Sequence, residues 1–256
     1  MDYNELKRKF QLHFALELNS KPKLKFLMYD IFVFGSAYIV GGYLRDFLNS
    51  IASRDIDIIV DLDNEKLLEI IQNSEVEYTI NRHKGIKLHF PNITVDMWSI
   101  ENNWAFKNEL VKLNDKDKLQ SIAKGCFYNY DSLVVNLHSF NMNIQYYLNF
   151  KAEKKLEILQ KSPLYKILNP TTEANILRAF YLKKIYHIDF SSNTKKYLID
   201  KIGEITDKRL NPLLQLELTK ASYKKYTSSL SESEIESSIL ELYKENNFDK
   251  QIYLKL

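Results

Sequence analysis

The stretch that decides the fold is Gly41-Gly42-Tyr43-Leu44-Arg45-Asp46, followed thirteen residues after Gly42 by Asp55-Ile56-Asp57. An apolar run leads into the glycine pair. Glycine adopts positive φ at no steric cost, so such a pair lets the backbone approach a phosphate closely. We predict a helix from about Tyr43, whose free N–H groups and positive dipole end favour an anion. The glycine pair is therefore a candidate phosphate cradle.

The acids downstream are a candidate metal site. A strand over residues 55–60 puts Asp55 and Asp57 on one face, because side chains alternate along a strand. Two neighbouring carboxylates repel each other unless a cation lies between them, and Mg²⁺ takes oxygen ligands and is often shared with substrate phosphates. The alternative is an ordinary Gly-Gly turn followed by an edge strand with solvated acids. Each half alone favours that alternative, whereas both together, with Arg45-Asp46 between them, favour a phosphate and metal site.

This pattern resembles the head domain of the tRNA nucleotidyltransferase (CCA-adding enzyme) and bacterial poly(A) polymerase family, within the DNA polymerase β-like superfamily. The family pattern is Gly-Gly-x-x-Arg-Asp, then Asp-x-Asp. The residues that match it without insertion are Gly41, Gly42, Arg45, Asp46, Asp55 and Asp57. The resemblance implies that Asp55 and Asp57 bind two Mg²⁺ ions and that Gly41 and Gly42 hold the phosphates of an NTP. Arg45 would contact a phosphate, or brace the loop by pairing with Asp46 or Asp55.

A third carboxylate is expected on the strand predicted over residues 93–100. There Asp96 is an acid inside an apolar run, which costs stability unless it is hydrogen-bonded or bound to a cation. The resemblance assigns Asp96 as the third metal-binding and catalytic carboxylate. Gly35-Ser36 is a rival to the glycine pair, since a Gly-Ser pair is also a hallmark of the superfamily. The spacing to Asp55 favours Gly41-Gly42.

Two later segments extend the resemblance to about residues 37–190. The segment entering the strand predicted at 132–138 resembles the family's ribose-contacting segment and assigns Asn129, although the family's Asp is Gly125 here. Residues 176–190 resemble the family's neck helix, with Arg178 as the matched arginine. The resemblance implies that Arg178 either reaches a phosphate of the nucleotide or only pairs across the interface of head and neck.

A departure from the family lies just upstream of the neck helix. Where CCA-adding enzymes have Glu-Asp-x-x-Arg to read the incoming base, this chain has Thr171, Thr172 and Asn175. The charged pair is lost, but neutral groups can still hydrogen-bond a base, so Asn175 remains a candidate nucleotide contact.

The expected fold class is α+β, with a nucleotidyltransferase head (a mixed β-sheet with helices) over 1–160. An all-α neck and body follows over 161–256, and the boundary is placed at Ser162-Pro163. A helix is predicted over 145–160, and further helices over 193–204, 210–226 and 231–246. The chain of 256 residues is 45% hydrophobic, has a single cysteine (Cys126), and shows no membrane span or signal-peptide pattern. These features predict a cytoplasmic protein without intrachain disulfides or membrane association.

Charge is unevenly distributed although the net charge is only +3. Residues 183–225 hold ten basic and five acidic residues, with Tyr186, Tyr197 and Tyr223 interleaved and Tyr226 directly after them. Such a surface could track a phosphate backbone. It could equally be a solvated helix face in a lysine-rich protein.

The resemblance implies a metal-dependent transfer of NMP from an NTP, such as ATP, to an acceptor hydroxyl. The acceptor that we favour is RNA, in particular the 3′ end of tRNA. The rival acceptors are a small molecule and a protein hydroxyl. A third hypothesis is a catalytically silent module that binds RNA or a protein partner.

Overall fold

The computed structural model describes residues 2–81, 84–160 and 171–245. The chain forms two compact units, Met1–Leu148 and Asn149–Leu256. The predicted boundary residues Ser162-Pro163 lie outside the described residues. The compact units divide after Leu148, about a dozen residues before the predicted end of the head at residue 160.

Unit 1 begins with a pair of helices, α1 (Tyr3–Asn19) and α2 (Pro22–Phe34). Its strands are β1 (Ala37–Val40), β2 (Asp55–Val60), β3 (Tyr78–Ile80), β4 (Ile86–Phe90), β5 (Ile93–Ser99), β6 (Val134–Asn136) and β7 (Met142–Asn143). Between them lie α3 (Gly42–Leu48), α4 (Asn64–Asn73), α5 (Trp104–Lys107) and α6 (Lys118–Gly125), with 3-10 turns at Ile100–Asn102 and Asn129–Asp131. Next comes α7 (Gln145–Glu153), within which the boundary between the units falls.

Within the described part of unit 1, seven strands form one mixed sheet in the order β3-β4-β5-β2-β1-β6-β7. The central strands β2 and β5 run parallel, and the other neighbours run antiparallel. Along β2 the side chains at its start alternate between more exposed acids and buried isoleucines, whereas Ile58, Ile59 and Val60 are all buried. A strand with both faces covered reads as a continuous apolar run. The acids of β2 therefore lie at the start of the strand, where Asp55 is exposed and Asp57 is partly buried, and its apolar end is fully buried.

Two helices fix the surroundings of that start. Helix α6 packs Ile122 and Ala123 into a core cluster with Ile59, which lies on the same strand face as Asp57. Helix α1 packs Phe10 against the ring of Phe47 on α3, with centroids 5.2 Å apart. The segment after Gly41 is thus held from outside by aromatic packing.

Unit 2 contains α8 (Thr172–Tyr186), α9 (Ser192–Asp207), α10 (Pro212–Lys220), α11 (Lys224–Thr227) and α12 (Glu232–Glu245). Two short strands, β8 (Lys155–Leu156) and β9 (Asp189–Phe190), pair in parallel. The helix predicted over 145–160 instead ends at Glu153, since Lys154 takes φ 50° and the chain turns into β8. The helix predicted over 210–226 is two helices, α10 and α11. The predicted α+β class with a helical second part is confirmed, with the β8–β9 pair as an addition.

No helix among the described residues is both long enough and apolar enough to cross a membrane.

Candidate active site

The three carboxylates singled out from the sequence share one face of the sheet. Asp57 is directly opposite Asp96 in the register of the parallel strands β2 and β5. Residues opposite each other on neighbouring strands point to the same side, and so do residues two apart on one strand. Asp55 therefore joins Asp57 and Asp96 on this face, two residues toward the start of β2.

The electrostatic state of Asp57 shows how crowded these charges are. Burial, and then the negative charges of Asp55, Asp96 and Asp131, together raise the pKa of Asp57 to about 7, while Lys87 opposes them. The burial follows from the neighbouring residue on that face, Ile59, which lies in the core cluster. An ionised Asp57 is thus disfavoured until positive charge arrives.

Asp131 is a fourth carboxylate that the sequence analysis missed. It lies in the turn Asn129–Asp131, and its carbonyl oxygen is 3.5 Å from where a Cβ on Gly41 would stand. Its carboxylate accepts a hydrogen bond from Arg45 Nη1 at 3.1 Å. An isolated acid in a polar turn has no periodic signal, so only the fold reveals its place.

Arg45 is built into the wall of the site. Its guanidinium lies over the ring of Tyr130, 4.3 Å from the centroid, and its side chain is only 16% exposed. The distance to Asp46 is longer, 3.9 Å between Nε and Oδ1. Asp46 in turn accepts a hydrogen bond from Ser53 at 2.9 Å. Of the two predicted roles, this geometry supports the bracing one, with Asp131 as the main partner instead of Asp46 or Asp55.

The glycine pair has a strict backbone requirement at its first member. Gly41 takes φ 74° and ψ −115°, a conformation that favours glycine. Its N–H donates to the Leu133 carbonyl at 2.8 Å, so a phosphate at this turn would not use the Gly41 N–H. Helix α3 begins at Gly42, one residue before the predicted start.

The rival pair Gly35-Ser36 lies at the other end of β1. Because β1 and β2 are antiparallel, Val40 is opposite Asp57 whereas Ala37 is opposite Val60. A Cβ on Gly35 would stand 2.6 Å from the Asp61 carbonyl oxygen, so this glycine is required by packing. The fold therefore supports the choice of Gly41-Gly42 as the pair beside the carboxylates.

The remaining predicted contacts are divided between the units. Asn129 is buried in unit 1, in the same turn as Asp131. In unit 2, Asn175 is 4% exposed and Arg178 is partly buried, both on α8. Thr171 caps that helix, as its hydroxyl oxygen accepts from the Ala174 N–H at 3.1 Å. One of the two neutral threonines at the base-reading positions is thus occupied in a helix cap.

The basic segment 183–225 is less open than its composition indicates. Tyr197 within it and Tyr226 directly after it are buried core residues. Four of its lysines form ion pairs with glutamates: Lys183 with Glu241, Lys184 with Glu234, Lys201 with Glu204, and Lys220 with Glu217. Much of its positive charge is therefore balanced locally.

Among residues 2–81, 84–160 and 171–245, no three or more His, Cys, Asp or Glu side chains are grouped so that they could hold a metal ion. Near the carboxylates the Lys87 ammonium lies 3.0 Å from Asp96 Oδ2. The donor chemistry nevertheless suits Mg²⁺, because carboxylate oxygens are hard ligands and because positive charge would favour the ionised form of Asp57.

Comparison with known proteins agrees with this geometry. Residues 37–120 match the family described as the poly A polymerase head domain. No curated protein matches the chain. Several solved structures match in fold. A CCA-adding enzyme with ATP is 16% identical, with a TM-score of 0.61 over 87% of this chain and 52% of that one. The apo form I of a CCA-adding enzyme is 16% identical, with a TM-score of 0.62 over 89% and 51%.

A third match is the Thermotoga maritima CCA-adding enzyme complexed with tRNA, at 16% identity and a TM-score of 0.59 over 82% of this chain and 47% of that one. The chain thus spans about half the length of these structures. At this identity the likeness concerns the fold. The family match covers residues 37–120, about a third of the chain, and it indicates a nucleotidyltransferase head similar to that of poly A polymerase.

Proposed function

We propose that the chain transfers an NMP from an NTP to an acceptor hydroxyl in a metal-dependent reaction and releases pyrophosphate. The observation that carries this proposal is the placement of Asp57 opposite Asp96 on parallel strands, with Asp55 on the same face. Three carboxylates so placed repel each other, and their charge suits divalent cations shared with a triphosphate.

In this proposal Asp55, Asp57 and Asp96 would hold the two Mg²⁺ ions. Bound Mg²⁺ supplies Lewis acidity toward the phosphoryl oxygens and lowers the pKa of a bound hydroxyl. The acceptor hydroxyl gives its proton to solvent as its oxygen bonds to the α-phosphorus, and the bond to the β,γ-phosphates breaks so that pyrophosphate leaves in line. The turn at Gly41-Gly42 would hold those leaving phosphates. Asn129, Asn175 and Arg178 are proposed nucleotide contacts.

The local charge balance bears on the number of ions. Four carboxylates face two side-chain cations, Arg45 on Asp131 and Lys87 on Asp96. When all four carboxylates are ionised, two negative charges remain, and they match the charge of one divalent ion. We therefore expect the second ion to arrive with the NTP, whose phosphates bring the balancing negative charge.

RNA is the proposed acceptor, in particular a tRNA 3′ end. Support comes from the fold shared with CCA-adding enzymes, one of them complexed with tRNA. A small-molecule or protein hydroxyl is the second candidate. It is favoured by the ion-paired lysines of segment 183–225 and by the neutral residues at the base-reading positions.

The test is incubation of the full chain with total RNA, Mg²⁺ and each α-³²P-labelled NTP in turn. Asp57→Asn should remove the transfer, while Asp115→Asn, a change at a side chain that is 85% exposed, should keep it. Label on a tRNA-sized band would support the RNA acceptor, and label on protein or a small product would support the second candidate. Transfer by the Asp57→Asn protein at the wild-type rate would refute the assignment.

A further inference from the structure

Lys87 is a cation on the carboxylate face that the reaction proposed above does not use. In the register of the antiparallel strands β4 and β5, Lys87 is opposite Asp96. Its side chain therefore points to the same face as Asp96, and through the β5–β2 pairing to the same face as Asp57. Its Nζ lies 3.0 Å from Asp96 Oδ2.

The two cations of the site differ in how firmly they are held. Arg45 is 16% exposed and its guanidinium is fixed between a carboxylate and an aromatic ring. Lys87 is 41% exposed, and the carboxylate it pairs with is 15% exposed. A long, flexible side chain that reaches a carboxylate from solvent gives little net stabilisation and can leave at small cost. Lys87 is thus the displaceable cation.

We propose that Lys87 determines the metal affinity of the site, as an internal counter-ion of Asp96 that a divalent cation must displace. The proposal rests on the proposed function for the identity of that cation. The ammonium contacts a carboxylate oxygen of Asp96, so it would compete with a metal ion for this carboxylate. Lys87 thereby balances Asp96 in the metal-free protein and weakens metal binding in the absence of nucleotide.

The test is a Mn²⁺ titration of the full chain without nucleotide, in which the electron paramagnetic resonance signal reports free Mn²⁺. Lys87→Met keeps the length of the side chain and removes its charge, and should bind Mn²⁺ about fivefold more tightly than the wild type. Lys87→Arg keeps the charge and should bind as the wild type does. Lys66→Met is the matched control, because Lys66 pairs with Glu69 at 2.9 Å on α4. It should leave the affinity unchanged.

A second readout is thermal unfolding, which also verifies that each variant folds. Without metal, Lys87→Met should unfold at a lower temperature than the wild type, and Mg²⁺ should raise its unfolding temperature by more than it raises that of the wild type. Equal or weaker Mn²⁺ binding by Lys87→Met would overturn the proposal, and so would the absence of Mn²⁺ binding by both proteins.

The label-transfer assay separates this outcome from that of the proposed function. If Asp57-dependent transfer occurs and Lys87→Met does not tighten Mn²⁺ binding, only the role of Lys87 is refuted. If Lys87→Met tightens Mn²⁺ binding and no label is transferred to any acceptor, the role of Lys87 stands and the transfer activity is refuted.

Discussion

Replacement of Asp57 by asparagine should stabilise the metal-free protein while it abolishes nucleotidyl transfer. Asparagine keeps the shape of the side chain and removes the charge that its surroundings disfavour. Burial, then Asp55, Asp96 and Asp131, raise the pKa of Asp57 from 3.8 to about 7. A carboxyl group whose pKa is raised by folding binds a proton more tightly in the folded state, so the wild type loses stability as pH rises from about 4 to 7.

The magnitude follows from the same two pKa values. Their separation of about three pH units corresponds to about 4 kcal/mol at pH 8, at 1.36 kcal/mol per unit. At pH 5 the folded carboxyl is still protonated and only the unfolded chain has ionised, which leaves a difference of about 2 kcal/mol. The gain from Asp57→Asn should therefore be about twice as large at pH 8 as at pH 5.

The assay is urea unfolding in EDTA at both pH values, with Asp115→Asn as the control that should change neither midpoint. Addition of Mg²⁺ at pH 8 should raise the stability of the wild type and leave that of Asp57→Asn nearly unchanged. An asparagine variant that is less stable than the wild type at pH 8, or one whose gain is equal at both pH values, would refute the electrostatic reasoning.

Three further substitutions test the elements around the carboxylates. Gly41→Ala forces alanine to φ 74°, so it should lower the free energy of unfolding in urea by about 1–3 kcal/mol and should also weaken nucleotide binding. Gly203→Ala inside α9 should raise the free energy of unfolding by up to about 1 kcal/mol, and equal effects of the two changes would contradict the backbone argument. Arg45→Lys loses the planar guanidinium that lies over the Tyr130 ring and donates to Asp131, so it should lower the free energy of unfolding by roughly 1 kcal/mol. Unchanged stability of this variant would show that the stacking contributes nothing. Asp63→Ala removes the cap of α4 and should cost about 1 kcal/mol without change in label transfer, and a lost activity would place this residue in the site.

The sequence was most informative where chemistry and local periodicity coincide. The strand over residues 55–60 was predicted at its observed bounds, because alternating acids and isoleucines specify both a strand and its faces. Asp96 was found because an acid in an apolar run is costly and needs a reason. The position of the glycine pair at the end of β1 also agrees with the prediction.

The features that the sequence did not reveal depend on pairing between distant segments. Lys87 reaches Asp96 only through the register of β4 and β5, and Asp131 reaches Arg45 across 86 residues of chain. A strand register shifted by one residue would put Lys87 on the other face of the sheet. The early end of α7 depends on one residue, Lys154, in a left-handed conformation that helix periodicity does not encode.

The sheet explains why an acidic site of this kind destabilises the fold locally and yet persists. Asp57 lies between the exposed Asp55 and the buried Ile59 on one strand face, so the strand that carries the carboxylates also anchors the core under α6. Moving the acids outward along the strand would lower their repulsion, but it would detach them from the rigid element that sets their spacing. Arg45 and Lys87 offset two of the four negative charges. The excess of negative charge that remains would, in the proposed function, be balanced by a divalent cation bound with the triphosphate. Burial, and then this excess of negative charge, raise the pKa of Asp57 in the free protein, so the same surroundings that lower its stability at neutral pH would favour a bound cation.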